Sequence, residues 1–83
     1  MNTITWSNKA RKQIKRIPNS IKLFDKIGAE LINFRDSQKV TRLVKHNYDY
    51  RLKVGRYRVL FNYDGEVKIV EIQEVKKRDE RTY

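Results

Sequence analysis

The run from Tyr50 to Tyr63, Tyr-Arg-Leu-Lys-Val-Gly-Arg-Tyr-Arg-Val-Leu-Phe-Asn-Tyr, constrains this chain most. Side chains alternate faces along a strand. Tyr50, Leu52 and Val54 therefore share one side of a sheet, and Arg51 and Lys53 the other. Past Gly55, Tyr57, Val59, Phe61 and Tyr63 alternate with Arg56, Arg58, Leu60 and Asn62. The spacing predicts two strands meeting at Gly55, apolar on one face and cationic on the other. Like charges on adjacent strands repel. A bare scaffold gains little from that arrangement, whereas a surface facing a polyanion does.

The rest of the chain is read around this hairpin. Thr3 to Trp6 is a short β-prone stretch, with Trp6 expected in core packing. Ser7 is placed to cap a helix with Ala10, Ile14 and Ile17 as its buried stripe and Lys9, Arg11, Lys12, Lys15 and Arg16 on the wet side. Pro18 ends it. A second helix, capped by Asn19 or Ser20, is expected to run to about Phe34 with Ile21, Phe24, Ile27, Leu31 and Phe34 as its apolar face. Gly28 inside it suggests close approach to the first helix. Arg35 to Asp49 carries little pattern; Leu43 and Val44 are its expected anchors.

Asn62-Tyr63-Asp64-Gly65 favours a tight reversal. A final strand, Glu66 to Val75, loses strict alternation at Ile69-Val70, as a central or bulged strand does. The expected fold is α+β in the order β-α-α-β-β-β. A mostly antiparallel sheet, completed by the first strand, carries a helical hairpin on one face.

An 83-residue chain is expected to form one domain spanning 1–83. It has no cysteine and one histidine, which argues against thiolate and histidine metal sites; no metal or cofactor is expected. The N-terminal Met-Asn-Thr-Ile-Thr-Trp lacks a signal-peptide core and no apolar run reaches membrane-spanning length, so a cytoplasmic location is expected. Twenty Lys and Arg against ten Asp and Glu give a formal charge of +10. So strong a positive field suits nucleic acid or an acidic protein.

The order of elements, the Tyr50-Arg51-Leu52-Lys53-Val54-Gly55-Arg56-Tyr57-Arg58-Val59 run after Leu43, the Asp64-Gly65 turn and the basic tail ending in Tyr83 resemble the RelE/ParE toxin superfamily over essentially the whole chain. The resemblance implies the toxin of a type II toxin–antitoxin system, neutralised by an antitoxin whose acidic or amphipathic segment wraps it, and bound to operator DNA only through that antitoxin. RelE-like members cut messenger RNA in the ribosomal A site; ParE-like members poison DNA gyrase without chemistry of their own.

For the RelE-like activity, the resemblance implies that the ribose 2′-OH attacks the adjacent phosphate. Arg51, Arg58, Arg78 and Tyr83 correspond to the catalytic positions, with Arg58 and Arg78 on the phosphate and Tyr83 stacking on a base or transferring the proton. A cation positioned on the developing phosphorane charge is typically worth about 10²–10³ in rate. Lys53, Arg56, Lys76, Lys77 and Arg81 would add RNA contacts, and Lys9, Arg11, Lys12, Lys15 and Arg16 ribosome contacts. The interval from Arg78 to Tyr83 is one residue shorter than the RelE pattern, so Arg81 is an alternative phosphate ligand to Arg78. His46 is an alternative base. Arg51 and Arg58 have a plainer reading as ion-pair partners of Glu71 or Glu74. The clustering of Arg51, Lys53, Arg58, Arg78 and Tyr83 favours the nuclease over the gyrase inhibitor, and a plain RNA-binding or inactive toxin with the same positive field is a third reading.

Overall fold

A computed structural model describes residues 1–35 and 37–77. The hairpin forms where the alternation places it. Strands β3 (Tyr50–Val54) and β4 (Tyr57–Asp64) pair antiparallel from Tyr50↔Phe61 to Val54↔Tyr57. The turn residue Gly55 has φ 54°, in the left-handed region that a side chain resists. Strand β5 (Ile69–Lys77) runs antiparallel to β4, and β1 (Thr3–Trp6) lies parallel on its other side. A short β2 (Val40–Arg42), in the stretch with little sequence pattern, joins β3. The five strands are ordered β1-β5-β4-β3-β2, so β5 is internal, as its broken alternation implied.

Helices α1 (Asn8–Lys15) and α2 (Ser20–Leu31) pack on one face of this sheet. Ala10 and Ile14 of α1 and Leu23, Ile27 and Leu31 of α2 close over Leu52, Val54, Val59, Phe61, Val70, Ile72 and Val75. Each fully buried aliphatic side chain contributes about 1.5–3 kcal/mol. Ser7 caps α1 as expected, accepting the Ala10 N–H at 3.0 Å and donating to the Gln73 carbonyl at 3.0 Å.

The β4–β5 register slips between Leu60 and Phe61, which face Glu74 and Ile72 and leave Gln73 as the extra residue of a bulge. There β1 stops pairing and α1 takes over the sheet edge. Gln13 Oε1 accepts the Val75 N–H at 2.7 Å, satisfying a donor that β1 no longer reaches.

Five expectations are corrected. Leu23, rather than Ile21 or Phe24, joins Ile27 and Leu31 in the core; Ile21 is 78% and Phe24 46% exposed. The helix ends at Leu31, and Phe34, beyond it, is buried edge-on against Tyr50, Phe61 and Tyr63. A Cβ at Gly28 would meet nothing within 4 Å, so this glycine brings no element close. The last strand starts at Ile69 rather than Glu66, because Asp64 Oδ1 accepts the Glu66 N–H at 3.0 Å and holds a longer turn. Val44 is 81% exposed and anchors nothing, while Leu43 is half-buried. Trp6 is half-buried and stacks on Phe24 with ring centroids 4.8 Å apart.

A cationic sheet face as the candidate functional site

The sheet face away from the helices gathers the candidate cations. Register places Lys53 opposite Arg58 and Arg58 opposite Lys76, one row of three cations across β3, β4 and β5. The next row is Thr41, Arg51, Leu60 and Glu74. Arg51 and Arg58 are therefore diagonal neighbours on adjacent strands, close enough for long side chains to meet. Both are half-buried, and the Nε atoms of both are shielded from solvent without a hydrogen-bond partner among the described residues. A shielded guanidinium N–H left unpaired costs roughly 1–3 kcal/mol, which an anionic oxygen in its path would recover.

Neither arginine pairs with Glu71 or Glu74, so among the described residues the plain ion-pair reading fails for both. Glu71 is exposed. Glu74 is the buried carboxylate of this face, 6% exposed, with Lys9 Nζ at 3.0 Å and Lys76 Nζ at 3.7 Å. Burial pushes its carboxyl up, but hydrogen bonds from Lys9 and Tyr48 and the nearby lysine charges outweigh burial and hold it below the usual value. The bond to Glu74 in turn raises Lys9, and hydrogen bonding to the same carboxylate raises Tyr48.

The remaining candidates are dispersed. Arg56 is exposed in the hairpin turn, and Lys77 is exposed opposite Tyr57. His46 is exposed, and its Nδ1 accepts the Tyr48 N–H at 3.2 Å. Arg78, Arg81 and Tyr83 lie outside the described residues. The five cations of the first helix do not act as one patch. Lys9 is committed to Glu74, while Arg11 and Lys15 line a groove of about 400 Å³ with Trp6, Ile14, Ser20, Ile21 and Phe24. Tyr50, Tyr57 and Tyr63 pack against the helix-side core, away from the cations.

The sequence reading missed Tyr48, and it gave Glu74 the wrong partners. The odd bulge residue displaces Glu74 in register, and alternation alone carries no sign of that. No group of His, Cys, Asp or Glu able to hold a metal occurs among the described residues. No helix among them is long and apolar enough to cross a membrane.

A five-stranded sheet with two helices on one face is a fold this chain shares with solved RelE toxins. The chain resembles the toxin–antitoxin complex RelBE2 from Mycobacterium tuberculosis with TM-score 0.74 and 20% identity over 93% of this chain and 98% of that one. The isolated Escherichia coli RelE toxin matches with TM-score 0.72 and 18% identity over 95% and 86%. The archaeal RelE–RelB complex from Pyrococcus horikoshii matches with TM-score 0.69 and 21% identity over 95% and 97%. At these identities the likeness establishes the fold. By sequence, residues 4–82 match the family described as ParE toxin of type II toxin-antitoxin system, parDE, and the chain belongs to that family. No curated protein matches it by sequence.

Proposed function

We propose that this toxin is a ribosome-dependent endoribonuclease that cuts messenger RNA in the A site. The observation that carries the reading is the row Lys53–Arg58–Lys76 beside Arg51, with two shielded guanidinium Nε atoms that lack an acceptor among the described residues. In the reaction, the ribose 2′-oxygen attacks the adjacent phosphorus and gives up its proton to a base. The bond from phosphorus to the 5′-oxygen breaks, leaving a 2′,3′-cyclic phosphate and a protonated 5′-OH. Arg51 and Arg58 stabilise the phosphorane, with Arg78 or Arg81 as a further phosphate ligand. Tyr83 or His46 moves the proton. Few described groups on the face can transfer a proton at neutral pH, so orientation by the ribosome supplies much of the rate. Lys53, Arg56, Lys76 and Lys77 hold the flanking RNA, and exposed cations of α1 add further RNA contacts.

The partner that neutralises the toxin is an antitoxin, acting in the cytoplasm. Its amphipathic, acidic segment fits the α1–α2 groove. There Ile21 and Phe24 are exposed, Gly28 leaves open space beside them, and Arg11 and Lys15 supply complementary charge. Cleavage of ribosome-bound messenger by wild type, lost in Arg51→Ala and Arg58→Ala, tests the nuclease reading.

A second reading, inhibition of DNA gyrase without nuclease chemistry, is favoured by the match to the ParE toxin family. A supercoiling assay on the same preparations decides between them. Inhibition that survives Arg58→Ala, with no RNA cleavage, would establish the second.

A further inference from the structure

Helix α1 carries cations on two flanks, and its contacts show which flank adjoins the catalytic face. Gln13 is fixed against β5 by its 2.7 Å bond to the Val75 N–H. Residues three and four apart on a helix are neighbours. Lys9 and Arg16, four before and three after Gln13, therefore lie on its side, and Lys12, three after Lys9 and four before Arg16, adjoins both on the outer face of the helix. The Lys9 ammonium confirms the direction, since it reaches the sheet face at Glu74. Arg11 and Lys15 point the other way, into the groove with Ile21 and Phe24.

Glu74 joins the two sets of cations. Its carboxylate holds Lys76 at 3.7 Å, at the end of the sheet row, and Lys9 at 3.0 Å, at the start of the helix flank. Lys53, Arg58, Lys76, Lys9, Lys12 and Arg16 thereby form one band running across three strands and onto α1. Lys12 and Arg16 are exposed, and neither forms an ion pair among the described residues. We infer that this band is the track of a single RNA strand, whose backbone crosses the sheet and continues along the Lys12–Arg16 flank of α1. Arg11 and Lys15 lie outside the track. Glu74 is the joint that fixes the helix flank against the row, and touches no phosphate itself. The inference rests on RNA being the ligand of the cationic face, and adds the direction and extent of that ligand.

The test is the salt dependence of binding to a fluorescein-labelled oligouridylate, read by anisotropy over a series of sodium chloride concentrations. Each phosphate neutralised contributes about 0.7 to the log–log slope for a single strand. Removing both track cations with Lys12→Gln and Arg16→Gln should flatten the slope by about 1.4. The paired change Arg11→Gln and Lys15→Gln, of equal charge on the same helix, should leave the slope unchanged. All four positions are exposed, so both double variants should melt like wild type.

Equal flattening in the two variants would mean a diffuse field without a track, and overturn the inference. An unchanged slope in both would overturn it too. Wild type that fails to bind RNA would overturn this inference together with the nuclease reading. Binding with the expected slopes by a protein that cuts no messenger would uphold the track and sink the nuclease reading alone.

Discussion

If Lys53, Arg58 and Lys76 are held together for a ligand, removing the middle charge should make the free protein more stable and leave it inactive. Arg58 stands directly opposite a lysine on each neighbouring strand. Charges about 5–7 Å apart cost roughly 0.6–0.8 kcal/mol per pair in water-like surroundings, so two pairs cost a little over 1 kcal/mol. The shielded Nε, without an acceptor among the described residues, adds to that cost. Arg58→Met keeps a long apolar stem over the sheet and removes both penalties. The expected gain is about 1–2 kcal/mol, or a rise in Tm of roughly 4–16 °C for a domain of this size. Thermal melts followed by circular dichroism at low ionic strength and in 1 M sodium chloride would read it. The Coulomb part should shrink as salt shortens the Debye length to about 3 Å. A variant that melts lower than wild type at low salt would show that Arg58 holds the sheet together, and the reasoning would be refuted.

Two further outcomes follow from particular contacts. Glu74→Gln should cost about 1 kcal/mol near neutral pH by loosening Lys9 and Lys76. Because the folded carboxyl lies below its ordinary value near 4.5, its contribution is complete above that pH and is lost as pH falls through the folded value. Urea melts of the two proteins should therefore differ at pH 7 and converge as pH falls through the folded value; a gap that stays constant would mean that the ionised form is not what matters. Phe24→Ser removes the aromatic floor of the α1–α2 groove where it is 46% exposed. It should cost the cognate antitoxin roughly tenfold or more in affinity while leaving messenger cleavage intact, and antitoxin titration of the cleavage reaction would show unchanged neutralisation if the groove were not its site.

The strand alternation made the hairpin legible, because a period of two with Gly55 between the halves fits few other structures. Ser7 was legible for a similar local reason, since a hydroxyl ahead of an amphipathic run has one obvious use. Helix α2 misled because it carries two apolar stripes. Leu23, Ile27 and Leu31 form one, while Ile21, Phe24 and Ile32 form another around Gly28. Helical period allows either to face the sheet, and the fit of Leu23, Ile27 and Leu31 against the sheet decides between them. The expected face mixed the two, with Ile27 and Leu31 from the buried stripe and Ile21 and Phe24 from the exposed one. The placement of Arg51, Lys53 and Arg58 on one face followed from alternation alone. The partnership of Lys9 with Glu74 could not be read, because it joins residues 65 positions apart across a bulge at Gln73. The capping of the Val75 N–H by Gln13 is hidden for the same reason.

The most direct measurement is primer extension on a defined messenger in a purified translation reaction, with wild type beside Arg58→Met. New 5′ ends inside A-site codons, absent without ribosomes and absent from the well-folded Arg58→Met protein, are the result expected of a cationic face built for phosphate. An intact messenger in the presence of folded wild-type protein, or undiminished cleavage by the variant, would contradict it.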